Sequence, residues 1–214
     1  MAHYKHIIWD WNGTLLDDTW LCVDIINSLL EKYSKPTITI DEYHKAFDFP
    51  VEDYYQRIGF NSRETPFKVV GAEFMELYWA RWSECNLHQN AKTVLDHFAQ
   101  TGISQSILSA AEVKLLQACT THFNIGDYFK HLSGLDHQYA TGKVEIGKQY
   151  VNSTSFNPNQ IILVGDTTHD FVVSHEIGID CILFKGGHHP PNKLQACGVE
   201  MVDDLSDLKK LITN

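Results

Sequence analysis

Ile161-Ile162-Leu163-Val164-Gly165-Asp166-Thr167-Thr168-His169-Asp170 is the segment from which the architecture can be read. Four apolar residues, three of them β-branched, stop at a glycine and a carboxylate, the pattern of a strand buried on both faces that ends in a loop. Residues 168–177 then carry helical periodicity. Moving upstream, the same alternation repeats: a helix at 144–152, a weaker strand around 131–135, a helix at 112–122, a strand at 103–108 and a helix at 91–100. Residues 6–10 form the first strand. Downstream, 180–184 is a further strand, 199–202 an edge strand, and 205–212 a last helix. Strands alternating with helices in this way predict an α/β fold, a doubly wound, Rossmann-like parallel sheet covered on both faces.

Residues 17–87 break the alternation. They carry helical patterns at 19–33, 40–47, 51–58 and 65–82, many aromatic residues and no strong strand. The expected organisation is a core of 1–16 and 88–214 with an inserted α-helical domain at 17–87.

The chain has 214 residues, enough for a buried core without disulfide or metal staples. Seventeen Lys and Arg against twenty-seven Asp and Glu give a formal charge of -10, which argues against nucleic acid as a partner. No apolar run approaches the ~18 residues of a membrane span, and Met1-Ala2-His3-Tyr4-Lys5 leads into a strand rather than a signal-peptide core. Five cysteines without a CxxC pair read as reduced thiols, and a cytoplasmic location is expected.

In an open parallel sheet, ligands collect at the carboxyl ends of the strands. Three such ends carry polar chemistry here: Asp10-Trp11-Asn12-Gly13-Thr14, Ser109 after Leu108, and Gly165-Asp166 with Asp170. With Lys143, these residues resemble in order the four motifs of the haloacid dehalogenase-like hydrolases, in the phosphoglycolate-phosphatase-like branch with a helical cap. The resemblance implies a Mg²⁺-dependent phosphatase acting on a small phosphorylated metabolite such as a phosphoglycolate-like ester. It makes Asp10 the nucleophile that forms an aspartyl-phosphate. Asp10, Asp166, Asp170 and the backbone carbonyl of Asn12 are the implied metal ligands, a set of oxygen donors suited to Mg²⁺. Ser109 and the amides after it, beginning at Ala110, are expected to bind the phosphoryl oxygens at a helix start. Lys143 is expected to balance charge on the phosphoryl group and Asp10, although Val144 stands where the family usually has proline; Lys148 is the nearest rival.

The sequence departs from the family at Asn12. The family's phosphatases generally carry there an Asp that protonates the leaving group and then activates water. An amide does neither, and loss of a general acid–base group typically costs ~10²–10⁴-fold. A slow phosphatase, an enzyme for substrates whose leaving groups need little protonation, and a weakly catalytic or non-catalytic binding module all follow from this change. His169, Asp17 and Asp18 are candidate substitutes, but solvent-exposed or helix-capping roles are the plainer reading of each. Phosphonoacetaldehyde hydrolases have a small residue at this position and need a cap lysine, for which Lys45 is available without the expected surroundings.

Other signals are discounted. Residues 142–149 approach a phosphate loop, but Gln149 cannot supply its hydroxyl and no strong strand precedes it. His188-His189 is expected in a solvated loop, because neighbouring loop histidines point apart and no third ligand is near in sequence. The helical stripe Phe74, Tyr78 and Trp82 reads as cap core. Arg57 and Arg81 could meet a substrate anion, with surface salt bridging the plainer reading.

Overall fold

The structure is a computed structural model and describes residues 4–61, 63–135 and 142–213. The first three residues of the Met1–Lys5 stretch lie outside that set. Strands β1 (His6–Trp9), β4 (Ser104–Glu112), β5 (Leu132–Leu135), β6 (Ile161–Gly165), β7 (Asp180–Phe184) and β8 (Glu200–Val202) form one sheet in the order β5-β4-β1-β6-β7-β8. Every pair in it is parallel. Alternation along the strands sends side chains to two cores. Ile7, Trp9, Ile162, Val164, Ile182 and Phe184 face one; Ile8, Leu163, Cys181 and Leu183 face the other.

Helices α5 (Ala91–Gln100), α6 (Val113–His122) and α10 (Leu208–Thr213) cover the first face. The second is covered by α7 (Lys143–Ser153), α8 (Thr168–Ile177) and the single turn α9 (Pro191–Leu194). All five cysteines are free. No helix among the described residues is long and apolar enough to cross a membrane.

Between β1 and β4 the chain forms four helices, α1 (Thr19–Lys32), α2 (Ile40–Ala46), α3 (Val51–Arg57) and α4 (Phe67–Arg81). In α1, Leu21, Cys22, Ile25, Ile26, Leu29 and Leu30 are buried at helical spacing, the stripe that lies along α4. A capping box of Thr39 and Glu42 starts α2. The two passages into and out of this helical segment pair as antiparallel strands β2 (Leu16–Asp17) and β3 (Asn86–Leu87). The hydrophobic cluster is continuous from these helices to Ile7 and Trp9 of the sheet.

Among the core strands, the end of the second differs most from the sequence expectation. The second core strand does not stop at Leu108 but runs irregularly to Glu112, because Glu112 still pairs with Leu135 of β5. Its helix therefore begins at Val113, three residues beyond Ala110.

His6 supplies a test of the core. Its ring stacks on Phe156 at 5.2 Å, and its Nε2 lies 2.9 Å from Ser106 Oγ and 3.1 Å from Tyr150 Oη. Burial lowers its pKa from 6.5 to about 4. The folded state thus refuses a proton that the unfolded chain accepts between those values, so stability is complete above pH 6.5 and falls as pH drops toward 4. Urea unfolding at pH 4.5 and 7 should show a loss of roughly 2–3 kcal/mol from this group. His6→Phe, which keeps a ring against Phe156, should flatten that part of the slope.

Candidate active site

Parallel pairing of β1 with β6 brings two carboxylates to one rim. Trp9 pairs with Val164, and the Asp10 amide extends the ladder by donating to the Val164 carbonyl at 2.8 Å. Asp10 and Asp166 therefore leave adjacent strands at the same end. Asp170, in the first turn of α8, joins them: the three buried carboxylates offer oxygens within 4.8 Å of one another. Asp170 also forms a capping box with Thr167, accepting from its amide at 3.0 Å and its hydroxyl at 2.7 Å. The helix start itself thus fixes this carboxylate. Thr14 Oγ1 reaches both Asp166 Oδ1, at 2.7 Å, and Asp10 Oδ2, at 3.3 Å. Gly13 has φ +73°, and a Cβ there would meet Asp166 Oδ2 at 2.4 Å, so only glycine lets the first loop close on the second carboxylate.

Lys143, the first residue of α7, places its ammonium 2.5 Å from Asp10 Oδ1 and 2.5 Å from Asp170 Oδ1. Burial works against this charge, but the two carboxylates outweigh it and raise the lysine above its usual range. Burial pushes the Asp10 carboxyl well above the carboxylate range despite Lys143, with Asp170 and Asp166 adding to the rise. Asp166 is pushed up to about 6, by burial first. Asp170, buried as well, is held low by Lys143 and Thr167. Lys148, the rival lysine, faces outward toward Glu145 and Glu176. A buried cluster with three carboxylates and one ammonium is short of positive charge. Its donors are all oxygen, so a divalent, oxygen-seeking ion such as Mg²⁺ fits it.

Beside this cluster lies a second one that the sequence reading did not assemble. Asn12 Nδ2 donates to Asp18 Oδ2 and to Tyr78 Oη, each at 2.7 Å. Tyr78 in turn donates to Asp18 Oδ2 at 2.7 Å, and the Gly13 amide to Asp18 Oδ1 at 2.8 Å. His188 Nε2 stands 3.4 Å from Asp18 Oδ1, and its Nδ1 2.9 Å from Tyr43 Oη. Burial would neutralise both members of the pair. The opposing charge wins, holding Asp18 below its ordinary range and raising His188 to about 9.

Three expectations are corrected here. The loop 188–189 is not solvated: both histidines are buried, His188 in this cluster and His189 accepting from the Thr168 amide at 3.0 Å. Both rings pack near Phe47, at 5.3 Å and 5.8 Å. Asp18 is neither exposed nor a side-chain helix cap but fully buried, whereas Asp17 is exposed. Tyr78 packs among the helices between β1 and β4 yet also turns its hydroxyl into the site.

Ser109 is buried, and Ser109, Ala110 and Lys143 line one cavity with Asp10, Asn12 and Asp170. The Ala111 amide donates to Ser109 Oγ at 3.1 Å. These residues do not stand at a helix start as expected, since the strand persists through this segment to Glu112. His169 also lines the cavity, its ring stacked on Phe49 at 4.3 Å. Lys45 is exposed and does not line it.

The model of the haloacid dehalogenase-like hydrolase family matches residues 7–184. The chain belongs to that family. Among solved structures, a haloacid dehalogenase-like hydrolase from Streptococcus pneumoniae superposes with TM-score 0.86 at 16% identity, covering 99% of both chains. A predicted phosphatase from Clostridium acetobutylicum gives 0.85 at 16% identity, again over 99% of both. A predicted phosphoglycolate phosphatase from Haemophilus somnus gives 0.82 at 20% identity over 99% of both. No curated protein matches the sequence.

Proposed function

We propose that the chain is a Mg²⁺-dependent phosphatase that hydrolyses a small organic phosphomonoester through an aspartyl-phosphate on Asp10. The observation that carries this reading is the convergence of Asp10, Asp166, Asp170 and Lys143 at one rim of the sheet. Family membership and the names of solved relatives point the same way.

Asp10 attacks phosphorus and the ester oxygen leaves; water then attacks the same phosphorus and returns the carboxylate. Lys143 balances charge on the nucleophile and the phosphoryl group. Ser109 and Ala110 hold phosphoryl oxygens. Asp10, Asp166 and Asp170, with the Asn12 carbonyl, hold Mg²⁺, which when bound neutralises charge on the phosphoryl oxygens. Residues 17–87 act as a cap whose root is the β2–β3 pair, and its closure excludes water during attack. Asn12 supplies no proton, and both hydrogens of its amide are engaged by Asp18 and Tyr78. That engagement favours a second reading, a weakly catalytic or non-catalytic module that binds a phosphorylated metabolite.

Phosphate release from p-nitrophenyl phosphate and acetyl phosphate separates the two. Turnover should require Mg²⁺ and fall by ~10³-fold on chelation, since a bound metal supplies several kcal/mol at the transition state. Re-addition of Mg²⁺ should restore it. Binding of phosphate without turnover of either substrate would leave the module.

A further inference from the structure

A cavity of about 360 Å³ lies between the cap helices and the strand ends. Its floor is polar, with Asp10, Ser109, Lys143 and Asp170. Its walls are rings: Tyr43, Phe47, Phe49, Tyr54, Phe74 and Tyr78. These rings hold one another in place. Tyr43 stacks on Phe47 at 5.1 Å and 16°, Phe47 meets Tyr54 edge-on at 5.3 Å, and Phe74 lies flat against Tyr78 at 6.1 Å and 18°. The space exceeds the ~150 Å³ that encloses benzene, leaving room for a phosphoryl group as well.

Beyond Lys143, the walls offer no lysine or arginine to a second anionic group among the described residues. Among the described residues, Lys143 is the one lysine lining the cavity and no arginine does; the remaining residues of the chain include neither type. Lys143 is held between Asp10 and Asp170, and His188 between Asp18 and Tyr43. Arg57 turns to the Ala46 carbonyl and Arg81 to Asp24 and Glu84. The carboxylate of a phosphoglycolate would sit among aromatic faces with no lysine or arginine to pair with and only uncharged hydroxyls such as Tyr54 Oη, which has no hydrogen-bond partner, lining the space. That is costly for a charge. A flat apolar ring would be met by edges and faces on several sides.

Chemistry points to the same substrate. No acid stands at position 12, so the departing oxygen must carry its own charge. A phenolic oxygen does so easily, with a pKa of ~10, against ~15.7 for water and a similar value for simple alkoxides. Resting on the phosphatase reading above, we propose that the substrate is a small aryl phosphomonoester, its phosphoryl group on the Asp10–Lys143–Ser109 floor and its ring between Tyr43, Tyr54 and Phe74. A carboxylate oxygen of Asp10 forms a bond to phosphorus as the phosphorus–aryl oxygen bond breaks. The electron pair leaves on the phenolate, which is protonated by solvent. Water then adds to phosphorus, the bond to Asp10 breaks, and inorganic phosphate departs.

Two measurements test this. In the first, kcat/KM is compared for phenyl phosphate, 2-phosphoglycolate and trifluoroethyl phosphate, the last pairing an activated leaving group with no ring. Phenyl phosphate should exceed both by ~10²-fold. In the second, calorimetry with Mg²⁺ compares phenylphosphonate and phosphonoacetate, which cannot be hydrolysed. Phenylphosphonate should bind at least ~10-fold tighter, and Phe74→Ala should remove most of that advantage. Equal or better use of 2-phosphoglycolate or trifluoroethyl phosphate, or tighter binding of phosphonoacetate, overturns the aryl assignment and leaves the phosphatase standing. Faster turnover of a phosphotyrosyl peptide than of phenyl phosphate overturns the small-molecule part. Release of phosphate from none of these overturns the phosphatase reading and this one with it.

Discussion

Asp10→Asn should lower phosphate release by on the order of 10⁴-fold or more, because the amide has no charge to donate to phosphorus and no second carboxylate occupies its place. The neighbours argue against substitution by another acid. Asp166 is fixed by Thr14 Oγ1 at 2.7 Å and the His188 amide at 2.7 Å, and Asp170 by its capping box and Lys143. Neither carboxylate can swing into line with the phosphoryl group without giving up those bonds. Stability should respond far less than activity. The Asp10 carboxyl lies against Asp166 and Asp170 and is raised chiefly by burial, so removing its charge relieves repulsion while Lys143 keeps Asp170 as a partner. The melting temperature should move by less than ~4 °C, the equivalent of about 1 kcal/mol in a chain of this size. Activity that survives within tenfold of the parent would show that phosphorus is attacked by something else. A collapse in melting temperature would show that the buried ion cluster is mainly structural.

The parts legible in the sequence are those carried by local pattern. Buried strands such as 161–165 declare themselves through β-branched runs, and the carboxylates that end them fall at one rim because parallel neighbours leave the sheet together. Asp10 and Asp166 could therefore be paired before any coordinates, and Lys143 now stands against Asp10. What was illegible is held by contacts between distant segments. Asp18 comes from the start of α1, Tyr43 from α2, Tyr78 from α4 and His188 from the loop after β7. Nothing in the spacing of these four residues relates them. One signal was available: Gly186-Gly187-His188-His189 follows a strand at the ligand-binding rim. A Cβ on Gly187 would meet Asp166 Oδ2 at 2.1 Å and the Gly13 carbonyl at 2.5 Å. That loop presses its backbone onto the carboxylate, which is why its two histidines are buried rather than solvated. The Tyr78 hydroxyl shows a related limit. Helical periodicity places a side chain on an apolar face but says nothing about where the polar tip of an amphipathic ring ends.

Asn12→Asp should raise kcat/KM for simple alkyl phosphates by ~10²–10⁴-fold, the usual worth of a positioned general acid, and should change aryl substrates much less. The two hydrogens that Asn12 now gives to Asp18 and Tyr78 determine how this gain is reached. A carboxylate in the same place would face the Asp18 carboxylate, which is buried and held ionised by His188. Like charges so close cannot both persist, so the new carboxyl keeps its proton to a higher pH, as in paired carboxylates generally. A carboxyl that is protonated near neutrality is what departure of an alkoxide requires. The second step changes too. In the parent, Asn12 stands where the family's water-activating carboxylate would and takes no proton, so an aryl substrate should load Asp10 faster than water clears it. Stopped-flow measurement should then show a burst of one phenol per active site, followed by slow turnover. In Asn12→Asp the carboxyl left ionised by the first step can activate water, and the burst should shrink or vanish. Asp18→Asn combined with Asn12→Asp removes the opposing charge, and the optimum for alkyl substrates should move to lower pH as the new carboxyl loses its proton more easily. A parent enzyme without a burst, coupled with an Asn12→Asp variant no faster on alkyl phosphates, would mean that acid–base help already reaches the site from another residue, with His169, which lines the same cavity, the first to substitute.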